Sequence, residues 1–401
     1  VTEGQDLDVD TAAMVEFASE LVRVPSVYDP ARRLNEEPAA ELIGERLRSF
    51  GWAPRFDAVA PGRPNVITVV DGGRPGPTLM FEGHTDVVTE GDPDRWTVDP
   101  FGGTISDGRL WGRGSADMKS GVAAMIYATK ALADAGPFPG RIVLAALVDE
   151  EGMMAGAKHL VAGGGMEGVD GVICCEPEGG EICHVAKGAL RLRVDLHGMM
   201  AHGAMPFAGR NPNRAVAAVI DAIASIERDL QAEVGDHEYL GLPWLTPTVL
   251  RAGSPEQMNV MPADSAIWFD VRTVPAVEHG VLIERLRAAL AAATDPLGIG
   301  WALEVIDDRP AVEVSPEHSL VRALRDAEVG LTGQLGRLGG VPGATDGTVL
   351  TSRTGVPSVV CGPGGKWIAH QADEFVEVAD IVHHANLYVA AAKRFLAGAA
   401  A

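Results

Sequence analysis

Apolar residues recur at helical spacing over Thr11 to Arg23 and again over Pro38 to Phe50, which predicts two amphipathic helices at the start of the chain. The runs NVITVV and PTLMFEGH then read as strands, GVAAMIYATKALADAG as a helix and RIVLAALVDE as a further strand. Strands alternating with helices predict a layered α/β domain. From Cys183 the pattern changes. ALRLRVDLHGM alternates in polarity as a half-buried strand does, and NRAVAAVIDAIASIERDLQAE is a long amphipathic helix. TVLRAG and SAIWFDVRTV follow as strands, and HGVLIERLRAALAAAT as a second helix. That order suits a small α+β domain with one open sheet face, inserted into the α/β domain, whose pattern resumes near Pro316. The expected organisation is a discontinuous catalytic domain over 1–182 and 294–401, with an inserted lid or dimerisation domain over 183–293. No internal repeat or low-complexity linker interrupts it.

Composition narrows the function classes. A chain of 401 residues with 46% hydrophobic content is long enough for two substantial cores and is not disordered. A formal net charge of −22 opposes nucleic acid or an anionic membrane as partner. It does not oppose an anionic substrate, because local cations can invert the field at a site. Cys174, Cys175, Cys183 and Cys361 show no C-x-x-C spacing and no disulfide framework, so they read as buried reduced thiols. With no signal-like start and no run of 18 apolar residues, the expected location is the cytoplasm.

Candidate chemistry gathers where strand-like runs give way to glycine-rich loops. His84, Thr85 and Asp86 close PTLMFEGHTD, Asp117 lies in GRGSADMKSG, and Glu150 and Glu151 close RIVLAALVDEE. Glu176 closes GVICCEP, and His370 follows in CGPGGKWIAH. In open α/β sheets, ligands bind beyond the carboxyl ends of the strands. Two histidines and three carboxylates suit Zn²⁺ or a similar divalent ion, and a two-metal hydrolase needs its ions about 3.5–4 Å apart. A single bridging carboxylate sets that spacing. The expected assignment puts Asp117 at the bridge, His84 and Glu176 on one ion, and Glu151 and His370 on the other. Glu150 is then left free to act as general base. Adjacent strand residues point to opposite faces, so Glu150 and Glu151 share one site only if the strand has already ended. Asp86 is placed to accept the other N–H of His84 and fix its tautomer.

GHTDVV, GRGSADMKSG, VDEEG, CCEP and AHQADE, in this order, resemble the di-zinc amidohydrolase and exopeptidase family of acetylornithine deacetylase, succinyl-diaminopimelate desuccinylase, aminoacylase and bacterial glutamate carboxypeptidase. The similarity runs from about Asp10 to the C-terminus. It implies the same ligand set with Glu150 as base, and a cis peptide between Asp117 and Met118. In the inserted segment it implies that His202, in GMMAHGAMPFAGRNP, stabilises the tetrahedral intermediate, in dimers commonly across the subunit interface. Arg272 in FDVRT and Asn259 in QMNVMP match positions that hold substrate carboxylate or carbonyl oxygens, and a guanidinium fork suits a carboxylate. Thr345 and Asp346, in GATDGT, are expected to line the acyl or side-chain pocket.

Each of these residues has a plainer reading. A lone histidine is most often solvated or hydrogen-bonded in a core, and Glu150-Glu151 alone would read as a solvated helix start. Arg272 competes nearly evenly with a structural ion pair inside its sheet. GRGSADMKSG lacks the G-x-x-x-x-G-K-[ST] spacing of a phosphate loop. Met199 and Met200 read as packing. Five motifs in family order favour a cytoplasmic hydrolase with two Zn²⁺ ions, Co²⁺ or Mn²⁺ substituting, that cleaves the amide of a small N-acyl amino acid. A homodimer through the inserted domain is expected. Glutamate at the position of Glu176 is implied by the resemblance to favour deacylases. A dipeptidase or carboxypeptidase is the nearest alternative, and an inactive metal-binding homologue acting as a binding protein is the alternative of another class.

Overall fold

The computed structural model describes residues 9–398, which divide into two units. The larger unit runs to His184, resumes over Val314–Gly340 and continues from Thr345, and the smaller comprises Val185–Glu313 with Val341–Ala344. The expected boundary near Ala293 therefore moves to Glu313. The reason is the strand Gly300–Arg309, which pairs antiparallel with Gly188–His197 from Gly300 opposite His197 to Arg309 opposite Ala189. That strand is mostly exposed along an edge, so its residues carry no clean apolar alternation from which to read it.

In the larger unit the predicted elements form at Thr11–Val22, Glu37–Ser49, Arg63–Asp71, Gly73–His84, Ser120–Asp134 and Phe138–Leu147. Asp10 opens the first helix, its carboxylate accepting the Ala13 N–H at 3.0 Å. The sheet order is Arg55–Ala60, Arg63–Asp71, Phe138–Leu147, Gly73–His84, Gly171–Pro177, Ser358–Gly362, then Glu181–Ala186. Four central strands, from Phe138–Leu147 to Ser358–Gly362, run parallel. Their carboxyl ends are level, since His84 pairs with Leu147 and Gly362 with Pro177. Parallel sheets need apolar cover, and the helix Ser120–Asp134 supplies part of it, buried on every side from Ser120 to Thr129. Gly121 permits the approach: a Cβ there would lie 2.0 Å from the Cys175 carbonyl oxygen.

The strand Phe138–Leu147 stops before the acidic run, and Asp149 takes a left-handed φ of 68°. This turn removes the alternation that would have sent Glu150 and Glu151 to opposite faces. It is fastened by a buried ion chain. Arg63 Nε lies 2.9 Å from both Glu36 carboxylate oxygens, and its Nη2 lies 2.7 Å from Asp149 Oδ1. The other Asp149 oxygen accepts the N–H groups of Met153 and Ala155 at 3.1 and 3.2 Å, at the start of the helix Ala155–Ala162.

The smaller unit has an antiparallel sheet in the order Trp244–Ala252, Asp264–Thr273, Gly188–His197, Gly300–Arg309. The helices Pro212–Val234 and His279–Thr294 share its apolar core, with Val219, Ile223, Leu282 and Leu286 packed among Leu192, Val194, Ile267 and Phe269. Trp244–Ala252 is an edge strand and is exposed along most of its length. Among the described residues, no helix is long and apolar enough to cross a membrane.

Removing one partner of a buried ion pair leaves an uncompensated charge, which costs about 3–5 kcal/mol. Arg63→Ala should lower unfolding stability by about that amount, read as a fall in the urea midpoint. Adding Glu36→Gln should recover part of the loss. A single variant as stable as the parent would show that Arg63 does not hold this turn.

Candidate active site

Each expected ligand sits at or just beyond the carboxyl end of a central strand, or on a loop that returns there. His84 ends Gly73–His84 and Glu176 lies one residue before the end of Gly171–Pro177. Glu151 lies in the turn after Phe138–Leu147, and His370 on the loop after Ser358–Gly362. Asp117 precedes the buried helix, and its peptide bond to Met118 is cis, as the resemblance implied.

Asp117 lies between two clusters. Its Oδ1 is 3.1 Å from His84 Nε2, which is 3.6 Å from Glu176 Oε1. Its Oδ2 is 3.3 Å from His370 Nε2, which is 2.9 Å from Glu151 Oε1. Two groups result, His84 with Asp117 and Glu176, and Asp117 with Glu151 and His370, and within each the donor atoms lie within 4.8 Å of one another. Glu150 belongs to neither group. The shared carboxylate offers one oxygen to each group.

The electrostatics show what such a site would attract. Burial drives the carboxyl groups of Glu150 and Glu176 well above the ordinary range, with neighbouring carboxylates adding to the rise. Burial also raises Asp86 and Glu151. Burial opposes ionisation of Asp117 as well, but hydrogen bonds from His370 and His84 outweigh it and hold its carboxyl below the usual carboxylate range. Hydrogen bonds to Asp117 and Glu151 raise His370 to about 10. The imidazoles of His84 and His370 are the cationic groups that lie within ion-pair distance of Asp86, Asp117, Glu151 and Glu176 among the described residues. Imidazole nitrogen and carboxylate oxygen are the donors divalent zinc prefers, so this set fits a pair of divalent cations.

Asp86 does more, and differently, than the sequence suggested. His84 Nδ1 donates to the backbone carbonyl of Asp86 at 2.9 Å, while the Asp86 carboxylate stands 3.7 Å away. Nδ1 is thereby committed to the peptide, so Nε2, which faces Asp117, is the nitrogen that would serve a ligand. The carboxylate instead accepts the backbone N–H groups of Glu150 and Glu151 at 3.2 and 3.1 Å, one on each oxygen. One residue thereby orients a histidine on one strand and the acidic pair beyond the next.

The remaining expected residues lie in varied surroundings. Thr345 and Asp346 are buried. They open the helix Asp346–Thr354, whose first turn packs so tightly that a Cβ on Gly347 would meet Cys174 Sγ at 2.9 Å. Burial, with Glu82 nearby, raises the Asp346 carboxyl well above its ordinary value. In the smaller unit, Arg272 forks onto Asp270 at 2.6 and 3.2 Å, so the competing ion-pair reading describes its contacts. His202 is exposed on a two-residue strand paired with Val260–Met261, its Nδ1 accepting the Ala204 N–H at 3.0 Å. Asn259 is exposed in the adjoining turn, its carbonyl accepting the Gly203 N–H at 2.7 Å.

Residues 80–394 match peptidase family M20/M25/M40. The chain belongs to that family. A succinyl-diaminopimelate desuccinylase from Cereibacter sphaeroides is 33% identical over 396 residues, covering 96% of this chain and 99% of the relative. An M20 family metallo-carboxypeptidase from Sulfolobus solfataricus shares the fold with a TM-score of 0.78 at 18% identity, over 96% of this chain and 99% of that one. A dinuclear metal-binding M20 peptidase from Bacillus subtilis superposes with a TM-score of 0.73 at 16% identity, over 96% and 98%. Membership of the family carries the amide-bond hydrolase class expected from the sequence.

Two positions in this M20 site escaped the sequence reading. Glu374, four residues after His370, is buried, and its Oε1 accepts the N–H groups of Gly114, Ala116 and Asp117 at 3.0, 3.0 and 3.1 Å. Its other oxygen pairs with Arg113. Both residues lie inside quoted motifs, but nothing in the motifs says which carboxylate faces outward to a ligand and which inward to the backbone.

Replacing Asp86 by asparagine puts an amide N–H₂ against one of two backbone N–H donors. Partners that orient ligands are worth about 10–100-fold. Asp86→Asn should therefore lower kcat for amide hydrolysis by roughly that factor with an unchanged circular dichroism spectrum. Unaltered kcat would mean that the Glu150-Glu151 turn is held without it.

Proposed function

We propose that the chain is a two-metal deacylase that removes an acyl group, of succinyl or acetyl type, from the nitrogen of a small amino acid. The observation that carries this reading is the pair of ligand groups sharing Asp117, with Glu150 beside them and in neither. One ion would be held by His84, Asp117 and Glu176 and the other by Asp117, Glu151 and His370. Zn²⁺ suits the mixed nitrogen and oxygen donors, with Co²⁺ or Mn²⁺ able to replace it. When bound, the ions supply Lewis acidity toward a carbonyl oxygen and a lowered pKa for water. Glu150 would then take the proton of the attacking water and return it to the leaving nitrogen, a role suited to a carboxyl that burial raises well above its ordinary value. Deacylation is preferred over peptide cleavage because the desuccinylase relative covers nearly the whole chain at 33% identity, and because Glu176 stands where the resemblance associates glutamate with deacylases.

A screen of N-succinyl, N-acetyl and longer N-acyl amino acids beside unmodified dipeptides tests the substrate class. The acyl amino acids should turn over faster, exhaustive chelation should abolish the activity, and Zn²⁺ or Co²⁺ should restore it. Faster dipeptide cleavage moves the protein to the exopeptidases. Full activity in a verified metal-free preparation defeats the two-metal reading, and no hydrolysis across the screen favours the binding-protein alternative.

The same reading includes a homodimer through the smaller unit, supported by its exposed edge strand with Trp244, Val249 and Leu250 outward. His202 is the residue we assign to the intermediate's oxyanion in the partner's site, and Arg272 and Asn259 to substrate oxygens. A substrate carboxylate at Arg272 must share the guanidinium with Asp270. The four unbridged, buried cysteines are in keeping with a cytoplasmic location. Glu150→Gln should keep both ions while losing about 10²–10⁴-fold in kcat. His202→Ala should also lose turnover with its metal content unchanged. Mixed Glu150→Gln and His202→Ala chains should regain activity, since one site of the hybrid has both groups intact. A fully active monomer, or exchanged chains that recover nothing, defeats the shared site.

A further inference from the structure

The two candidate ligand groups are held by different means. His84 ends a central strand, is buried, and has Nδ1 fastened to the Asp86 carbonyl. Glu176 lies at the end of the neighbouring strand. His370 has no strand beneath it: its side chain is 51% exposed and its backbone takes a left-handed φ of 65°. A non-glycine residue in that region persists only where its surroundings hold it.

Arg113 supplies a hold. It is buried, with its guanidinium 5.2 Å from the centroid of the Trp96 ring. Its Nη1 pairs with Glu374, and its Nη2 donates to the His370 carbonyl at 3.3 Å. Glu374 Oε1 in turn gathers the N–H groups of Gly114, Ala116 and Asp117, and the Glu374 carbonyl accepts the Gly112 N–H at 2.9 Å. One arginine–glutamate pair therefore grips the backbone of the shared ligand Asp117 on one side and of the terminal ligand His370 on the other. A planar guanidinium can serve two partners in fixed directions, whereas an ammonium is a single point charge.

We propose that Arg113, acting through Glu374 and the His370 carbonyl, is a positioning residue that sets the affinity of the ion held by Asp117, Glu151 and His370, and leaves the ion beside His84 and Glu176 largely independent of it. This rests on the two-ion reading given above. Loss of the second arm frees the His370 backbone to leave its left-handed conformation and carry the imidazole away from Glu151. Of the His84 group only Asp117 touches this hold, through its backbone N–H on Glu374, while His84 and Glu176 keep their own strand and carbonyl anchors.

The test is calorimetric titration of the metal-free full chain with Zn²⁺, repeated with Co²⁺ while following visible absorption. The parent protein is compared with Arg113→Lys, which keeps a cation beside Glu374 but cannot span to His370, and with Glu374→Gln, which keeps an acceptor for the three N–H groups. The parent should take up two ions. Both variants should bind one ion with parental affinity and the other about 10–100-fold more weakly, the range for partners that orient ligands. Equal weakening of both ions, or two ions bound with parental affinity, overturns the inference while leaving the two-ion reading intact. Fewer than two ions in the parent overturns that reading, and the inference with it. Circular dichroism identifies a misfolded variant, in which case the other decides.

Discussion

Crowding of carboxyl groups in a largely buried crevice is the constraint on which the rest of this molecule depends. Asp86, Asp117, Glu150, Glu151 and Glu176 gather beyond the carboxyl ends of the central strands with two imidazoles among them. Burial resists ionisation, and like charges at such range add to the resistance, which is why Glu150 and Glu176 are driven upward while Asp117, touched by both histidines, is driven down. A cluster of this kind persists because the backbone beneath it is rigid and because divalent cations answer its charge when present.

Rigidity comes from other carboxylates that face inward. Asp86 spends both oxygens on the N–H groups of Glu150 and Glu151, and Glu374 spends one on three N–H groups around Asp117. Asp149 caps the turn that carries the acidic pair and meets Arg63, which in turn meets Glu36. A carboxylate that accepts several backbone N–H groups is stabilised where it stands and fixes the peptide that donates them. The site is thus two shells of the same chemical type, an outward set free for cations and an inward set committed to the chain.

The smaller unit follows a separate logic. Its antiparallel sheet has helices packed with one face and leaves the strand Trp244–Ala252 as an exposed edge, the feature that proteins cover or pair. His202 and Asn259 project from its short ribbon and adjoining turn rather than from the main sheet, and both are exposed. Nothing within this unit commits either side chain to a core.

The sequence by itself determined the elements and the outward residues. Apolar runs ending in His, Asp-Glu-Glu and Glu announced where strands stop and ligands begin, because strand burial and ligand chemistry both leave local marks in composition. Those marks placed His84, Asp117, Glu151, Glu176 and His370 together and set Glu150 apart. What only the tertiary structure decided was direction and pairing over long separations. Glu374 and Asp86 are acidic residues like their neighbours, and only folding shows that their oxygens meet backbone N–H groups rather than open space. Arg272 and Asp270 lie two apart on one strand, and only the folded strand shows that the guanidinium meets that carboxylate. Asp346 looked like a loop residue beside glycine, yet the packing of its helix against Cys174 buried it. The inserted unit extends to Glu313 because a weakly patterned edge strand gains its hydrogen bonds from Gly188–His197, a partner about a hundred residues away in the chain, and ladder hydrogen bonds leave no trace in the local sequence.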